Sequence, residues 1–346
     1  MTLPRIAVVG LGFMGGRWAR IVDDGDGAFL GVVSDVQADH GRRLADALDA
    51  EFVADPIEAA SRADIDGVVI CTPEDRHVEV ALAAIDAGKA VAIEKPLAHT
   101  VADAERIRDA AGLAGVPVLA AHVLRFEPRY AAVRRAIETG EIGAVQALRS
   151  ERIGLVSDQD VLRGRTSIAL YYGVHELDLA RWYAGEVATV WAARSSGVVA
   201  AHGHDVEDLY SVGLTFVDGA HGTATIGWSL PARTPGYGQA GFTVIGEHGL
   251  LQVSQGTTGF AKILRDGPAD VDVHYAPEVH GHVYGALAIE VDHFVRCVRG
   301  EAEPLCSAAD GAEAVRVALA MEQAAERGEP VRVHDDPVRQ TARQPA

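Results

Sequence analysis

Short runs of apolar, largely β-branched residues recur through the first third of the chain, at Ile6–Val9, Phe29–Val33, Val68–Cys71, Val91–Ile93 and Val118–Ala120. Stretches with helical spacing separate them. The runs are nearly continuous rather than alternating, so each strand is covered on both faces, the pattern of a parallel sheet wound with helices on both sides. From about Val145 the rhythm changes to longer segments that alternate apolar and polar positions, as at Leu209–Phe216, Gly222–Trp228 and Phe242–Ile245. Turn chemistry divides them at Asp218-Gly219 and Glu247-His248-Gly249. This predicts a large, mostly antiparallel sheet with one open face. Two helices follow, about Tyr284–Arg299 and Ala308–Arg327, the second capped by Ser307 and ending near Gly328. The expected class is α/β: a doubly wound parallel sheet over residues 1–121, an α+β domain over 122–333, and a flexible tail over 334–346.

Composition narrows the function. With 346 residues, 48% of them apolar and 23% charged, the chain can bury the cores of two domains. The net charge of −18 argues against nucleic acid or an anionic membrane surface as partner, because both attract basic proteins. A small molecule is the expected partner. No apolar run is long enough for a membrane span or a signal peptide, which points to the cytoplasm. Cys71, Cys297 and Cys306 form neither a disulfide framework nor a zinc spacing, so they are expected reduced and mostly buried. The groups His202-Gly-His204-Asp205-Val-Glu207-Asp208 and His280-Gly-His282 lack a recognised ligand framework and read as solvated loops. No metal is expected.

The first strand runs directly into Gly10-Leu-Gly12-Phe13-Met14-Gly15, and a helix is expected from about Arg17. In this strand–turn–helix context the glycines make a dinucleotide fingerprint: Gly10 for the tight turn, Gly12 for close approach to a pyrophosphate, Gly15 for helix packing. The first domain is therefore read as a Rossmann domain, with Phe13 and Met14 beside the cofactor. Asp35 ends the second strand, 20 residues after Gly15, where a carboxylate accepts ribose hydroxyls and disfavours a 2′-phosphate. The expected cofactor is NAD rather than NADP.

Polar residues also close the next strands. Thr72, Pro73 and His77 follow one, and Glu94-Lys95-Pro96 ends another, at the sheet edge that faces the ligand crevice. With Arg125-Phe126-Glu127-Pro128, Gly140-Glu-Ile-Gly143, Gly173-Val-His175-Glu-Leu-Asp178 and Ala288-Ile-Glu290-Val-Asp-His-Phe294, the chain resembles the glucose-fructose oxidoreductase and inositol dehydrogenase (Gfo/Idh/MocA) family nearly to Val333. The resemblance implies oxidation or reduction of a secondary hydroxyl on a cyclic polyol or sugar. By match to the family's motifs, Lys95 stands beside the reacting oxygen and His175 is the acid/base. Glu94, Thr72, Pro73 and His77 are expected around the cofactor, and Arg125, Tyr171, Tyr172 and Asp178 around the substrate.

The chemistry suits these residue types. Hydride leaves a C–H only as the neighbouring hydroxyl loses its proton, histidine titrates near neutrality, and an ammonium stabilises the developing alkoxide. Asp178, three residues after His175 on the same helix face, binds a substrate hydroxyl, orients the imidazole, or simply favours the helix start. One departure stands out. Where family dehydrogenases often carry aspartate four residues before the histidine, this chain has Tyr171, followed by Tyr172. That substitution leaves an NAD-dependent glycosidase of the same superfamily as an alternative, and a non-enzymatic NAD-binding regulator as a second. Trp228, Tyr237 and Tyr284 are weighed as sugar-stacking or core residues. An open sheet face predicts a homodimer or homotetramer.

Overall fold

The computed structural model describes residues 3–162, 164–232, 234, 238–254, 262–265, 267–269 and 271–334. Tyr237, and the expected tail from residue 335 onward, lie outside them. The chain divides into two compact units, Met1–Glu127 with Asp272–Val315, and Pro128–Val271 with Arg316–Ala346.

The first unit alternates strand and helix: β1 (Arg5–Val9), α1 (Phe13–Asp24), β2 (Phe29–Ser34), α2 (Ala38–Ala47), β3 (Glu51–Phe52), α3 (Pro56–Ser61), β4 (Gly67–Ile70), α4 (His77–Asp86), β5 (Ala90–Glu94), α5 (Val101–Ala114) and β6 (Val118–Ala121). The strands form one parallel sheet in the order β3-β2-β1-β4-β5-β6. β4 and β5 are buried throughout, as continuous apolar runs require. Strand order reverses between β1 and β4, and at such a point an open sheet offers a crevice beyond its carboxyl ends.

The second unit opens with α6 (Pro128–Glu138), β7 (Val145–Leu155) and α7 (Asp158–Leu162). It continues through α8 (Val174–Ala184), β8 (Val187–Ser195), α9 (Val198–Ala201), β9 (Leu209–Phe216), β10 (His221–Leu230), β11 (Gln239–Gly246) and β12 (Leu250–Ser254). A hairpin, β13 (Lys262–Leu264) with β14 (Gly267–Ala269), follows. The main sheet runs β12-β11-β7-β10-β9-β8 and then β17 (Val331–Arg332), a strand from late in the chain. It is antiparallel except between β10 and β7, which run parallel. Parallel neighbours need a long crossover, and several elements separate these two in sequence. Burial alternates residue by residue along β9 and β11, so one sheet face is packed and the other looks outward.

Late in the chain, β15 (Glu278–Val279), β16 (His282–Val283) and α10 (Ala286–Val298) belong to the first unit, where Phe294 packs edge-on to Trp18 of α1 at 6.2 Å. α11 (Ala308–Arg327) begins as expected: the Asp310 amide donates to Ser307 Oγ, which in turn donates to the Asp310 carboxylate at 2.8 Å. Among the described residues no helix is long and apolar enough to cross a membrane.

Candidate active site

The glycine turn between β1 and α1 is the first part of the site. Gly10 has φ of +86°, a conformation open to glycine. A Cβ on it would also lie 2.6 Å from the Cys71 carbonyl carbon and the Thr72 amide nitrogen, so the turn rests directly on the chain leaving β4. A Cβ on Gly15 would stand 1.8 Å from the Gly10 carbonyl oxygen. Gly12 differs, because nothing lies within 4 Å of where its Cβ would project.

α1 starts at Phe13 rather than near Arg17, because Gly12 in extended conformation serves as its N-cap. No carboxylate occupies the first turn and no side chain caps it, so the leading N–H groups remain available to an anion. A cleft of about 350 Å³ lies here, lined by Leu11, Gly12, Phe13, Arg17 and His40 among others. The open space over Gly12 and the uncapped helix start fit a dinucleotide pyrophosphate. Exposed Phe13 carries the Arg17 guanidinium 3.6 Å over its ring. Met14 accepts a hydrogen bond on Sδ from the Tyr275 hydroxyl at 3.1 Å.

Asp35 is engaged on both oxygens, accepting from the Leu11 amide and the Gln37 amide at 2.7 Å each. It thereby ties the glycine turn to the end of β2. Each carboxylate oxygen can accept a second bond, which suits the ribose role expected of it.

Beyond β4 and β5 stand Thr72, Pro73 and the half-buried Lys95. Two expected cofactor residues face protein instead. Glu94 is buried and accepts from Trp18 Nε1 at 3.0 Å. His77 is fully buried, with Nδ1 3.0 Å from the Pro96 carbonyl oxygen and Nε2 2.9 Å from that of Thr72. Arg125, 4% exposed, donates to the Leu305 carbonyl at 2.8 Å and lies 3.7 Å from the Asp310 carboxylate.

Glu290 of α10 is 0% exposed, and neither of its oxygens has a hydrogen-bond partner among the described residues. Burial first, and the charge of Glu94 second, push its pKa well above the ordinary carboxyl value; burial raises Glu94 as well. A carboxyl raised in the folded state favours folding in acid, and that contribution is lost as pH climbs from the ordinary carboxyl range through the folded value. Glu290→Gln is neutral at every pH. It is therefore expected to melt above the parent at pH ~8, with the gap closing toward pH ~4. A variant less stable than the parent across that range in calorimetry would show that the acid is needed for another reason.

In the second unit, a π-helical segment, Ala169–Gly173, leads into α8. Such insertions cluster at functional positions, and this one changes the rotation of Tyr171 and Tyr172 relative to a plain helix. His175 and Asp178 lie within regular α8, so the shared face predicted for them holds; His175 is half-buried and Asp178 1% exposed. The ring of Tyr171 meets Tyr172 at 4.8 Å and Trp228 at 6.1 Å, and Trp228 is fully buried. Tyr284, by contrast, is exposed. The Tyr172 hydroxyl donates to Asp158 Oδ2 at 2.7 Å, and its ring covers Gly154 of β7, where a Cβ would come within 2.2 Å of the hydroxyl. Burial raises the pKa of both Tyr172 and Asp158. Next to His175, buried Glu176 accepts from Arg152 Nε of β7 at 2.7 Å, anchoring the start of α8 to the sheet.

Trp18, Arg152 and Asp158 carry no sequence signal for these roles, since each acts on a residue far away in the chain. The segment around His202 is not wholly solvated either. Asp208 is buried and accepts from the Val198 and Val199 amides, capping α9.

Residues 4–122 match the model of an oxidoreductase family with an NAD-binding Rossmann fold, and residues 130–252 match the C-terminal domain of the same GFO/IDH/MocA group. The sequence is 31% identical to inositol 2-dehydrogenase 1 of Saccharopolyspora erythraea, over 95% of this chain and 96% of the relative. The chain belongs to the Gfo/Idh/MocA family. A scyllo-inositol 2-dehydrogenase (NAD(+)) of Bacillus subtilis is 26% identical over 95% of this chain and 96% of its own. Among solved structures, a probable dehydrogenase from Thermotoga maritima superposes with a TM-score of 0.80 at 26% identity, covering 95% of this chain and 98% of that one. As a Gfo/Idh/MocA member the protein is an NAD-dependent oxidoreductase, with its NAD-binding Rossmann domain over residues 4–122.

Proposed function

We propose that this enzyme oxidises a secondary hydroxyl of an inositol or a closely related cyclic polyol. The observation that carries the reading is the likeness to inositol dehydrogenases across 95% of the chain. NAD supplies the hydride acceptor. His175 takes the hydroxyl proton as the C–H bond breaks, leaving a ketone, reduced cofactor and a proton to be released to water. The Lys95 ammonium stabilises the oxygen while it carries alkoxide charge. Tyr171 and Asp178 contact the substrate, Tyr171 with an apolar face and a hydroxyl where relatives often use a carboxylate. Tyr172, tied to Asp158, supports Tyr171 from behind. The outward sheet face, with Trp191 44% exposed, serves homo-oligomerisation.

Tyr171 also supports a second reading, an NAD-dependent glycosidase that oxidises transiently and eliminates the glycosidic group. One experiment separates the two. Incubation with NAD and a panel of inositols and sugars is expected to raise the absorbance of reduced nicotinamide with at least one cyclic polyol. Cleavage of a chromogenic glycoside without net reduced cofactor, and no response to any polyol, would reject the first reading in favour of the second.

A further inference from the structure

The surroundings of His77 pose a problem of proton count. A neutral imidazole has one N–H and one lone pair, and a peptide carbonyl oxygen can only accept. Both ring nitrogens of His77 lie against such oxygens, Nδ1 at 3.0 Å from Pro96 and Nε2 at 2.9 Å from Thr72. The ring is 0% exposed, so water does not relieve either contact. With one proton, a nitrogen lone pair would face an oxygen lone pair in the interior and that carbonyl would lose its donor. With two protons, both contacts are charge-assisted hydrogen bonds.

The positions of the two carbonyls give this a purpose. Thr72 lies just beyond β4, and its amide is one of the atoms on which Gly10 rests. Pro96 follows Lys95. A continuous path of packed backbone therefore runs from the dinucleotide turn, through Thr72 and the imidazole, to the residue after the lysine. We propose that His77 is a positioning residue for Lys95, a doubly protonated imidazole that binds the ends of β4 and β5 into one rigid piece. The proposal rests on the reading of Lys95 as the group beside the reacting oxygen.

Two effects oppose the second proton. Burial pushes the His77 pKa below the ordinary histidine value, and the residue stands at the start of α4, where the helix dipole disfavours a cation. The Thr72 and Pro96 carbonyls act in the other direction, as does the charge of Glu74, itself 6% exposed. Two contacts under hydrogen-bond distance, each needing a donor, decide for the cation.

Neutron diffraction from deuterated crystals of the wild-type enzyme at neutral pH reads the protons directly. Deuterium on both Nδ1 and Nε2 is expected; deuterium on one nitrogen alone overturns the proposal. His77→Gln then tests the positioning. It is expected to lower kcat by about ten- to a hundredfold while leaving the dissociation constant for NAD within about threefold, because a small misplacement of a reacting group costs rate more than binding. Unchanged kcat, or kcat and NAD affinity falling together, overturns it. A wild-type enzyme inactive on every polyol would sink the reading of Lys95, while the neutron result would still decide the state of His77.

Discussion

His175→Ala and Lys95→Ala enzymes are each expected to fold, to bind NAD, and to lose roughly 10²- to 10⁴-fold in kcat on the preferred polyol, the range that positioned acid/base groups contribute. The fold should survive because both side chains are only half-buried and lie outside the packed core. α8 is anchored beside His175 by Glu176 and Arg152, and Lys95 is half-buried beyond a strand whose own residues are fully packed. The losses should not multiply. In the proposed mechanism both groups act on one oxygen and its proton, and on that proposal the double variant is expected to be little slower than the worse single one. Steady-state rates with NAD titrations check all three enzymes. Full activity in either single variant, with the fold intact by circular dichroism, would remove that residue from the chemistry.

The second large effect separates two glycines three positions apart. In Gly15→Ala the new methyl stands 1.8 Å from the Gly10 carbonyl oxygen and 3.1 Å from Cys71 Cβ. The nearer atom is backbone, so no rotamer relieves the clash, and α1 must move off the turn. A stability loss of about 3 kcal/mol or more is expected, with NAD binding lost alongside. In Gly12→Ala the methyl meets nothing within 4 Å and projects into the space assigned to the pyrophosphate. That variant is expected to melt like the parent and bind NAD about tenfold more weakly or worse, a cost of ~1.4 kcal/mol or more. Thermal unfolding and isothermal titration read both. A Gly12→Ala enzyme with parental NAD affinity would show that the dinucleotide does not approach this turn.

Much of the first unit was legible in the chain because its signals are local. A continuous apolar run specifies a strand covered on both faces, and Gly10 and Gly15 specify a turn and a close helix packing that other residues cannot make. The change to alternating burial after Val145 likewise announced a sheet with one packed face, since strand side chains point to opposite sides at every step. α1 starts four residues before the position its pattern predicts, because Gly12, a poor helix former, is its cap. The parallel pairing of β7 with β10 has no local signal, for register between distant strands is set by what the whole sheet buries.

The same division holds at the site. Lys95 and His175 are marked as candidates by the family motifs they resemble, and Asp35 by its spacing from the glycine turn, because motif and spacing are local features of the chain. Tertiary structure alone decided that Glu94 and His77 turn into the interior, that a π-helical segment rotates Tyr171 and Tyr172, and that residues 272–315 return to the first unit and bring Glu290 within reach of the charge on Glu94. The physical reason is common to all of them. Burial and hydrogen-bond partners are relations between residues far apart in the chain, and no window of sequence contains both members.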